Sequence, residues 1–142
     1  MVETAENVAR QWNISREEQD AFALSSQQKY FAALEAGKWK AEIAPVEITP
    51  NKEEQVIFDK DEHPRQTSME KLAGLKPAFA KDGTVTAGNS SGINDGAAAL
   101  LVVSEKALQR YGLQPLAAVR SMAVAGVDPA IMGIGPAFPI PK

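Results

Sequence analysis

Val85-Thr86-Ala87-Gly88-Asn89-Ser90-Ser91-Gly92-Ile93-Asn94-Asp95-Gly96-Ala97-Ala98-Ala99 is the stretch that decides how this chain is read. Its first part is dense in Gly, Asn and Ser, the residues that supply tight turns. Its last part opens the longest uninterrupted apolar run, residues 97–103 (AAALLVV), which is apolar on both faces. A central strand covered on two sides has this pattern, and so does a buried helix segment. After it, Ser104 predicts the cap of a short helix through Glu105-Lys106-Ala107-Leu108-Gln109-Arg110-Tyr111, closed by Gly112. Residues 116–125, rich in small and β-branched side chains, read as a second strand. Gly133-Ile134-Gly135-Pro136 reads as a loop.

Toward the N-terminus, Asp82-Gly83 predicts a turn and Thr84-Val85-Thr86 a short strand. A short helix interrupted by Gly74 is expected over residues 68–75, and a charged loop over 60–64. Ile43-Ala44-Pro45-Val46-Glu47-Ile48 and Val56-Ile57-Phe58 read as two short strands, with Pro45 holding the first at an edge. The Asn51-Lys52-Glu53-Glu54 stretch reads as the turn between them. Ser15-Arg16-Glu17-Glu18 is a capping box, in which Ser15 accepts from the backbone three residues on and Glu18 reaches back. Glu17, Glu18 and Asp20 sit in the first turns, where the helix dipole favours them. This helix is expected to run to about Ala36, with Gly37 as its left-handed stop. Its apolar rows, Phe22/Tyr30/Ala33 and Leu24/Phe31/Leu34, and its small residues Ala21, Ala23, Ser25 and Ser26 predict a well-covered helix. Thr4 is expected to cap a short turn through Val8-Ala9-Arg10-Gln11.

The 142 residues suit one domain or parts of two, and 44% hydrophobic with 23% charged is ordinary for a globular protein. Fifteen Lys and Arg against eighteen Asp and Glu give a net charge of −3, which favours neither nucleic acid nor anionic lipid as partner. The seven-residue apolar run is far short of the about twenty residues that a membrane-spanning helix needs. The acidic start, Met1-Val2-Glu3-Thr4-Ala5-Glu6, has no apolar signal core, so a cytoplasmic location is expected. There is no Cys, which excludes disulfides, thiolate metal sites and a cysteine nucleophile within these residues, and one His, His63, cannot form a histidine cluster.

Several motifs fail on their own chemistry. Asp59-Lys60-Asp61-Glu62-His63-Pro64 gathers oxygen ligands, but a calcium loop needs Gly at its sixth position and Pro64 stands there. Gly133-Ile134-Gly135 lacks the third glycine of a dinucleotide fingerprint, since Phe138 occupies that place. No GxxxxGK[ST] exists. Adjacent carboxylates such as Asp61/Glu62 and Glu53/Glu54 do not face a common substrate, so they read as surface charge.

The 85–99 block closely resembles the thiolase family pattern. Thr4-Ala5-Glu6-Asn7-Val8-Ala9, Ser15-Arg16-Glu17-Glu18-Gln19-Asp20-Ala21-Phe22-Ala23, Leu75-Lys76-Pro77-Ala78-Phe79 and Gly126-Val127-Asp128-Pro129 through Met132-Gly133-Ile134-Gly135-Pro136 resemble thiolase segments too, in thiolase order. The resemblance implies an α/β fold of two similar halves with an inserted loop domain that holds coenzyme A. It implies an acyltransferase that makes or cleaves 3-ketoacyl-CoA, with a coenzyme A thioester as substrate and no separate cofactor or metal. By position, residues 1–93 resemble the second half of the loop domain. Residues 94–117 resemble the last strand and helix of the N-terminal half, and 118–142 the start of the C-terminal half. The chain is thus expected to be a middle fragment of the fold, with incomplete sheets. The family's nucleophilic cysteine is expected before Met1, and its Gly-His and Cys-Gly motifs after Lys142. No catalytic residue is assigned within the chain, and His63 falls where the family has no base.

What the resemblance does carry over is ligand contact. Ser91 resembles the serine that touches the pantetheine arm, where a hydroxyl in a Gly-rich turn can meet the pantetheine amides; the alternative is a plain turn-forming Ser. Ala87 and Phe79 resemble the small and aromatic walls of the same tunnel, although Phe79 alone also reads as core. Arg65 resembles an arginine beside the adenine nucleotide, where a guanidinium can stack and face phosphates. Met132 and Met1 resemble acyl-pocket methionines, whose thioethers adapt to a variable acyl group, and Met1 reads equally as an initiator. Asn94 and Asp95 read as turn-holding residues. Two other readings stay open, a free-standing coenzyme A or acyl-CoA binding module and a non-catalytic interaction protein. The expected partners are acyl-CoA or coenzyme A, with neither nucleic acid nor membrane, and a homo-oligomeric parent that supplies the missing segments.

Overall fold

The computed structural model describes residues 2–49 and 54–141. Helix α1 (Val2–Gln11) begins before Thr4, so Thr4 lies inside the helix and does not cap it. Asn13, at φ 53°, takes the left-handed conformation that Asn tolerates and turns the chain toward α2 (Arg16–Glu35). The capping box closes as its sequence requires: Glu18 N donates to Ser15 Oγ at 3.1 Å, and Ser15 N donates to Glu18 Oε2 at 2.8 Å. Ala36 caps α2 and Gly37 turns left-handed at φ 69°. A 3₁₀ turn (Lys38–Ala41) follows. Its Trp39 ring stacks on Tyr30 of α2 at 5.5 Å. Helix α3 (Met69–Ala73) is capped by Ser68, and Gly74 ends it instead of interrupting it. Helix α4 (Glu105–Tyr111) starts at Ser104 and stops at Gly112, φ 61°.

Strands β1 (Val46–Ile48) and β2 (Val56–Phe58) form an antiparallel pair in the register Val46↔Phe58, Glu47↔Ile57, Ile48↔Val56. The first strand is shorter than the sequence suggests. Ile43 N donates to Trp39 O at 3.0 Å, so its N–H is spent on the preceding turn, and Pro45 has no donor. Asn51, Lys52 and Glu53 of the expected turn lie outside the described residues. Opposite pairs share one face, so Val46, Ile48, Val56 and Phe58 make a small apolar face, and all four are exposed.

Three expected strands are not strands. Thr84-Val85-Thr86 cannot join a ladder, because its N–H groups are taken by the side chains of Glu6 and Asn89. Residues 97–103 and 116–125 have no regular structure. Leu100, Leu101 and Val102 are 91%, 79% and 83% exposed, and Leu116, Val119, Met122 and Val124 are exposed as well. A strand is a pairing, and among the described residues neither segment meets a partner. The Gly133–Pro136 loop is instead part of a 3₁₀ segment (Pro129–Ala137) capped by Asp128. Helix α2 is likewise not well covered: Phe22 and Leu34 are exposed and Asp20 is its buried residue.

The chain forms two compact units, residues 1–92 and 93–142. Among the described residues the buried apolar side chains are few: Ala9, Leu72 and Val85, all in the first unit. Beside them lie Glu6, Asp20 and Thr86, so the interior of that unit is as polar as it is apolar. No helix among the described residues is long and apolar enough to cross a membrane.

So much exposed apolar surface drives association. The purified chain is expected to melt broadly and to contain species larger than the monomer, with the helical first third more ordered than the segment after Gly126. Calorimetry with light scattering checks this, and a sharp cooperative melt from a monodisperse monomer contradicts it.

Candidate functional site

The first unit is organised around the turn at residues 84–91, and the buried carboxylates of α1 and α2 hold it from two sides. From α1, Glu6 accepts Thr84 N at 3.0 Å through both oxygens, Val85 N at 3.0 Å and Thr84 Oγ1 at 3.1 Å. Burial pushes the Glu6 carboxyl up, but the two backbone N–H groups, the Thr84 hydroxyl and the Arg10 charge outweigh it, and its pKa lies below the ordinary 4.5. Gly83 makes this approach possible, because a Cβ there would collide with Glu6 Oε1 and lie 3.0 Å from Ala80 Cβ.

From α2, Asp20 is 1% exposed. Its Oδ2 accepts Arg16 Nε at 2.7 Å and its Oδ1 accepts Asn89 Nδ2 at 3.0 Å. Arg16 also donates to Leu72 O, in the last turn of α3, at 2.7 Å, and to Leu75 O, just past the helix, at 3.1 Å, so its cation sits at the C-terminal end of α3. Asn89 donates to Thr84 O at 2.9 Å and accepts Thr86 N at 2.8 Å. Thr86 is fully buried; its Oγ1 accepts Gly88 N at 3.1 Å and its carbonyl accepts Ser90 Oγ. Gly88 lies so close to α3 that a Cβ would come within 2.5 Å of Leu72 Cδ2, and within 2.6 Å of Leu75 Cδ1 just past that helix. No buried side-chain polar atom among the described residues lacks a partner.

The residues expected to touch ligand fall into three groups. Ala87 and Ser91 are exposed on the held turn, on either side of its buried bonds. Phe79 is 64% exposed and next to Ala78, whose N–H donates to Val85 O at 2.9 Å, so its segment is tied to the same turn. Phe79 is thus not core. Arg65 is exposed and anchored elsewhere, its backbone N–H donating to Gln27 Oε1 on α2 at 2.9 Å. Met132 is 49% exposed in the 3₁₀ segment of the second unit, and Met1 lies outside the described residues. His63 is exposed. Near it Tyr30 Oη donates to Asp61 Oδ2 at 3.3 Å; burial and then the Asp61 charge hold the phenol above its usual range. Among the described residues no three His, Cys, Asp or Glu side chains converge to hold a metal. A cleft of about 450 Å³ lies between α1 and the 80–84 loop, and Ser91, Ala87, Phe79 and Arg65 do not line it.

Sequence reasoning did not find Glu6, Arg16, Asp20 or Asn89. Asp20 reads as a dipole-stabilised surface acid, yet it is the buried link between α2 and the turn. The one signal was the Arg16/Asp20 spacing of four, the spacing of a helix-surface ion pair.

Glu6→Ala leaves the Thr84 and Val85 amides without their charged acceptor, a loss of about 2–3 kcal/mol of local stability. The expected outcome is at least about tenfold faster hydrogen exchange at Val85, measured in peptides covering 84–90. In the unsubstituted chain the depressed pKa puts this stabilisation above pH 4.5, and it is lost as pH falls through the lower folded-state value. Exchange in this peptide, corrected for intrinsic rates, is expected to rise on acidification in the native chain and not in Glu6→Ala.

The family profile described as "Thiolase, N-terminal domain" matches residues 1–106. The chain is 57% identical over 134 residues to a Pseudomonas aeruginosa protein named "Acetyl-CoA acetyltransferase", covering 94% of this chain and 34% of that one. It is 55% identical over 140 residues to a Staphylococcus epidermidis "Probable acetyl-CoA acyltransferase", covering 98% and 36%. Among solved structures it superposes on the Bacillus anthracis acetyl-CoA acetyltransferase with a TM-score of 0.89 at 55% identity, over 100% of this chain and 36% of that one. The human mitochondrial 3-ketoacyl-CoA thiolase in complex with CoA gives 0.86 at 48% identity, over 97% and 34%. The chain therefore spans about a third of the length of the curated relatives it matches. Its partial α/β architecture, with a two-stranded sheet among the described residues, is part of the thiolase fold. With the profile, the sequence identities and the superpositions in agreement, the chain belongs to the thiolase family.

Proposed function

We propose that this chain supplies the coenzyme A-contacting portion of a thiolase-type acyltransferase, one that makes or cleaves 3-ketoacyl-CoA. The observation that carries the reading is the turn at 84–91. Its inward polar groups are bonded to Glu6, Asp20 and Asn89, while Ala87 and Ser91 stay exposed. A surface hydroxyl on a rigid Gly-rich turn suits the amides of a pantetheine arm, and the small Ala87 lets the arm lie close. Phe79, exposed beside the same turn, serves as the aromatic wall. Arg65 is assigned to the adenine nucleotide, where its planar guanidinium can stack and face phosphates. Met132 and Met1 are assigned to the acyl pocket. That one matched structure is a complex with CoA supports the ligand class. In this assignment residues 1–93 belong to the loop domain, 94–117 close the N-terminal half and 118–142 open the C-terminal half.

The chain contains no Cys and its one His is exposed in a charged loop. Acyl transfer through a thioester needs a nucleophile and a base to activate it. Both are assigned to segments outside these residues, and the complete enzyme to the cytoplasm as a homo-oligomer. A second reading, a coenzyme A binding module, draws on one observation: every bond that fixes the turn comes from within residues 2–92.

Two measurements test this. The purified chain alone is expected to show no thiolysis of acetoacetyl-CoA above the uncatalysed rate; cleavage by material free of host thiolase overturns the assignment of the nucleophile. Coenzyme A is expected to slow hydrogen exchange in peptides covering 86–92. Ser91→Ala is expected to weaken that effect by about 0.5–1.5 kcal/mol, the net value of one neutral hydrogen bond, and Ser91→Trp to abolish it by obstruction. Undiminished protection in Ser91→Trp removes Ser91 from the pantetheine path.

A further inference from the structure

The bonds behind the turn form one continuous relay. Arg16 is anchored on the carbonyls of Leu72 and Leu75 at 2.7 and 3.1 Å, which fixes its guanidinium against the end of α3. Its Nε holds Asp20 Oδ2 at 2.7 Å. The other Asp20 oxygen takes one Nδ2 hydrogen of Asn89, and Thr84 O takes the second. Asn89 Oδ1 accepts Thr86 N. Both donors and the acceptor of the carboxamide are therefore engaged. Reversing the amide would set Nδ2 against the Thr86 N–H and Oδ1 against two acceptors, so its orientation is fixed as well. Asn89 is two residues from Ser91 and two from Ala87, the positions assigned to coenzyme A. Glu6 grips the other end of the turn through Thr84 and Val85, five and four residues before Asn89.

We infer that Asn89 is the positioning residue of the coenzyme A-contacting turn, and that Arg16 and Asp20 act on the ligand site through it. The inference rests on the turn being the ligand contact, as proposed above. Packing alone does not ask for this residue. A buried carboxylate that faces a carboxamide, with a cation behind it, specifies an amide donor at 89: an aspartate there would set oxygen against oxygen at both Asp20 and Thr84. The relay also sets an order of effects. Asn89→Asp removes two donors and adds a like charge beside Asp20. Asp20→Asn keeps an oxygen for Asn89 but leaves Arg16 without its ion pair. The double variant removes the like-charge pair and lets the new amide at 20 donate to the new carboxylate at 89.

The test uses the full 142-residue chain, with coenzyme A binding and peptide-level hydrogen exchange measured on the same samples. Asn89→Asp is expected to weaken coenzyme A binding at least about tenfold, the worth of one charge-bearing hydrogen bond. Exchange over 84–90 is expected to accelerate by a similar factor, while α2 and α3 keep their protection. Asp20→Asn is expected to do the same to a smaller extent, and adding it to Asn89→Asp to recover at least about threefold of the affinity. Should Asn89→Asp not fold, Asp20→Asn decides alone: weaker binding with α2 protected supports the relay, unchanged binding overturns it. Native affinity in Asn89→Asp, or equal loss of protection in α2, α3 and the turn, overturns the inference and leaves the ligand assignment standing. If the unsubstituted chain does not bind coenzyme A, the ligand assignment itself falls, and the positioning role falls with it.

Discussion

The carboxylate of Glu6 is the constraint on which the first unit depends. It gathers the two backbone N–H groups and the hydroxyl of Thr84-Val85 from the far end of that unit. The two N–H groups are of the kind a strand spends on a ladder. A carboxylate that accepts several N–H groups is worth more than a neutral acceptor, and each donor would cost about 1–3 kcal/mol if buried alone. Asp20 does the same for the other arm of the turn by way of Asn89. With Ala9, Leu72 and Val85 as the buried apolar side chains, directional bonds carry much of the specification that a larger core would otherwise supply. The turn is held with its backbone spent inward and with Ala87 and Ser91 left outward.

What could be read from sequence was what short-range chemistry decides. Ser15 with Glu18, Ser104, Gly37 and Gly112 marked helix ends, because a cap needs only its own neighbours within three or four residues. The apolar run at 97–103 and the stretch of small and β-branched residues at 116–125 were legible as segments built for a sheet, and the structure leaves them largely exposed. A strand is defined by its partner, and composition cannot supply one. Thr84-Val85-Thr86 shows the converse: β-branched residues in an extended stretch, diverted from strand pairing by two side chains remote in sequence. The family and the place of Ser91 and Ala87 on an exposed turn followed from local motif. Glu6, Asp20 and Asn89 did not, since a lone acid in a helix looks the same whether water or a distant amide faces it.

Two glycines of this unit mark where the turn needs room. Gly83 and Gly88 stand where a single added carbon would strike the Glu6 carboxylate or the Leu72 and Leu75 side chains. Neither has a positive φ, so the requirement is for closeness and not for an unusual backbone. A sequence reader sees two turn glycines; the packing shows two contact points between the turn and the helices behind it.

The bond from Thr84 to Glu6 spans 78 residues. During synthesis at about 5–20 residues per second, Glu6 is joined to the chain about 4–16 s before Thr84 is. Helices α1 and α2 have local caps and can form in that interval, but α3 has five residues and is too short to persist by itself. It waits for the Arg16 guanidinium to donate to the Leu72 carbonyl in its last turn and to Leu75 O just beyond it. The nascent chain thus carries two acids waiting in water until the turn arrives, and the outward face of that turn, with Ala87 and Ser91, is the last part of the unit to be set.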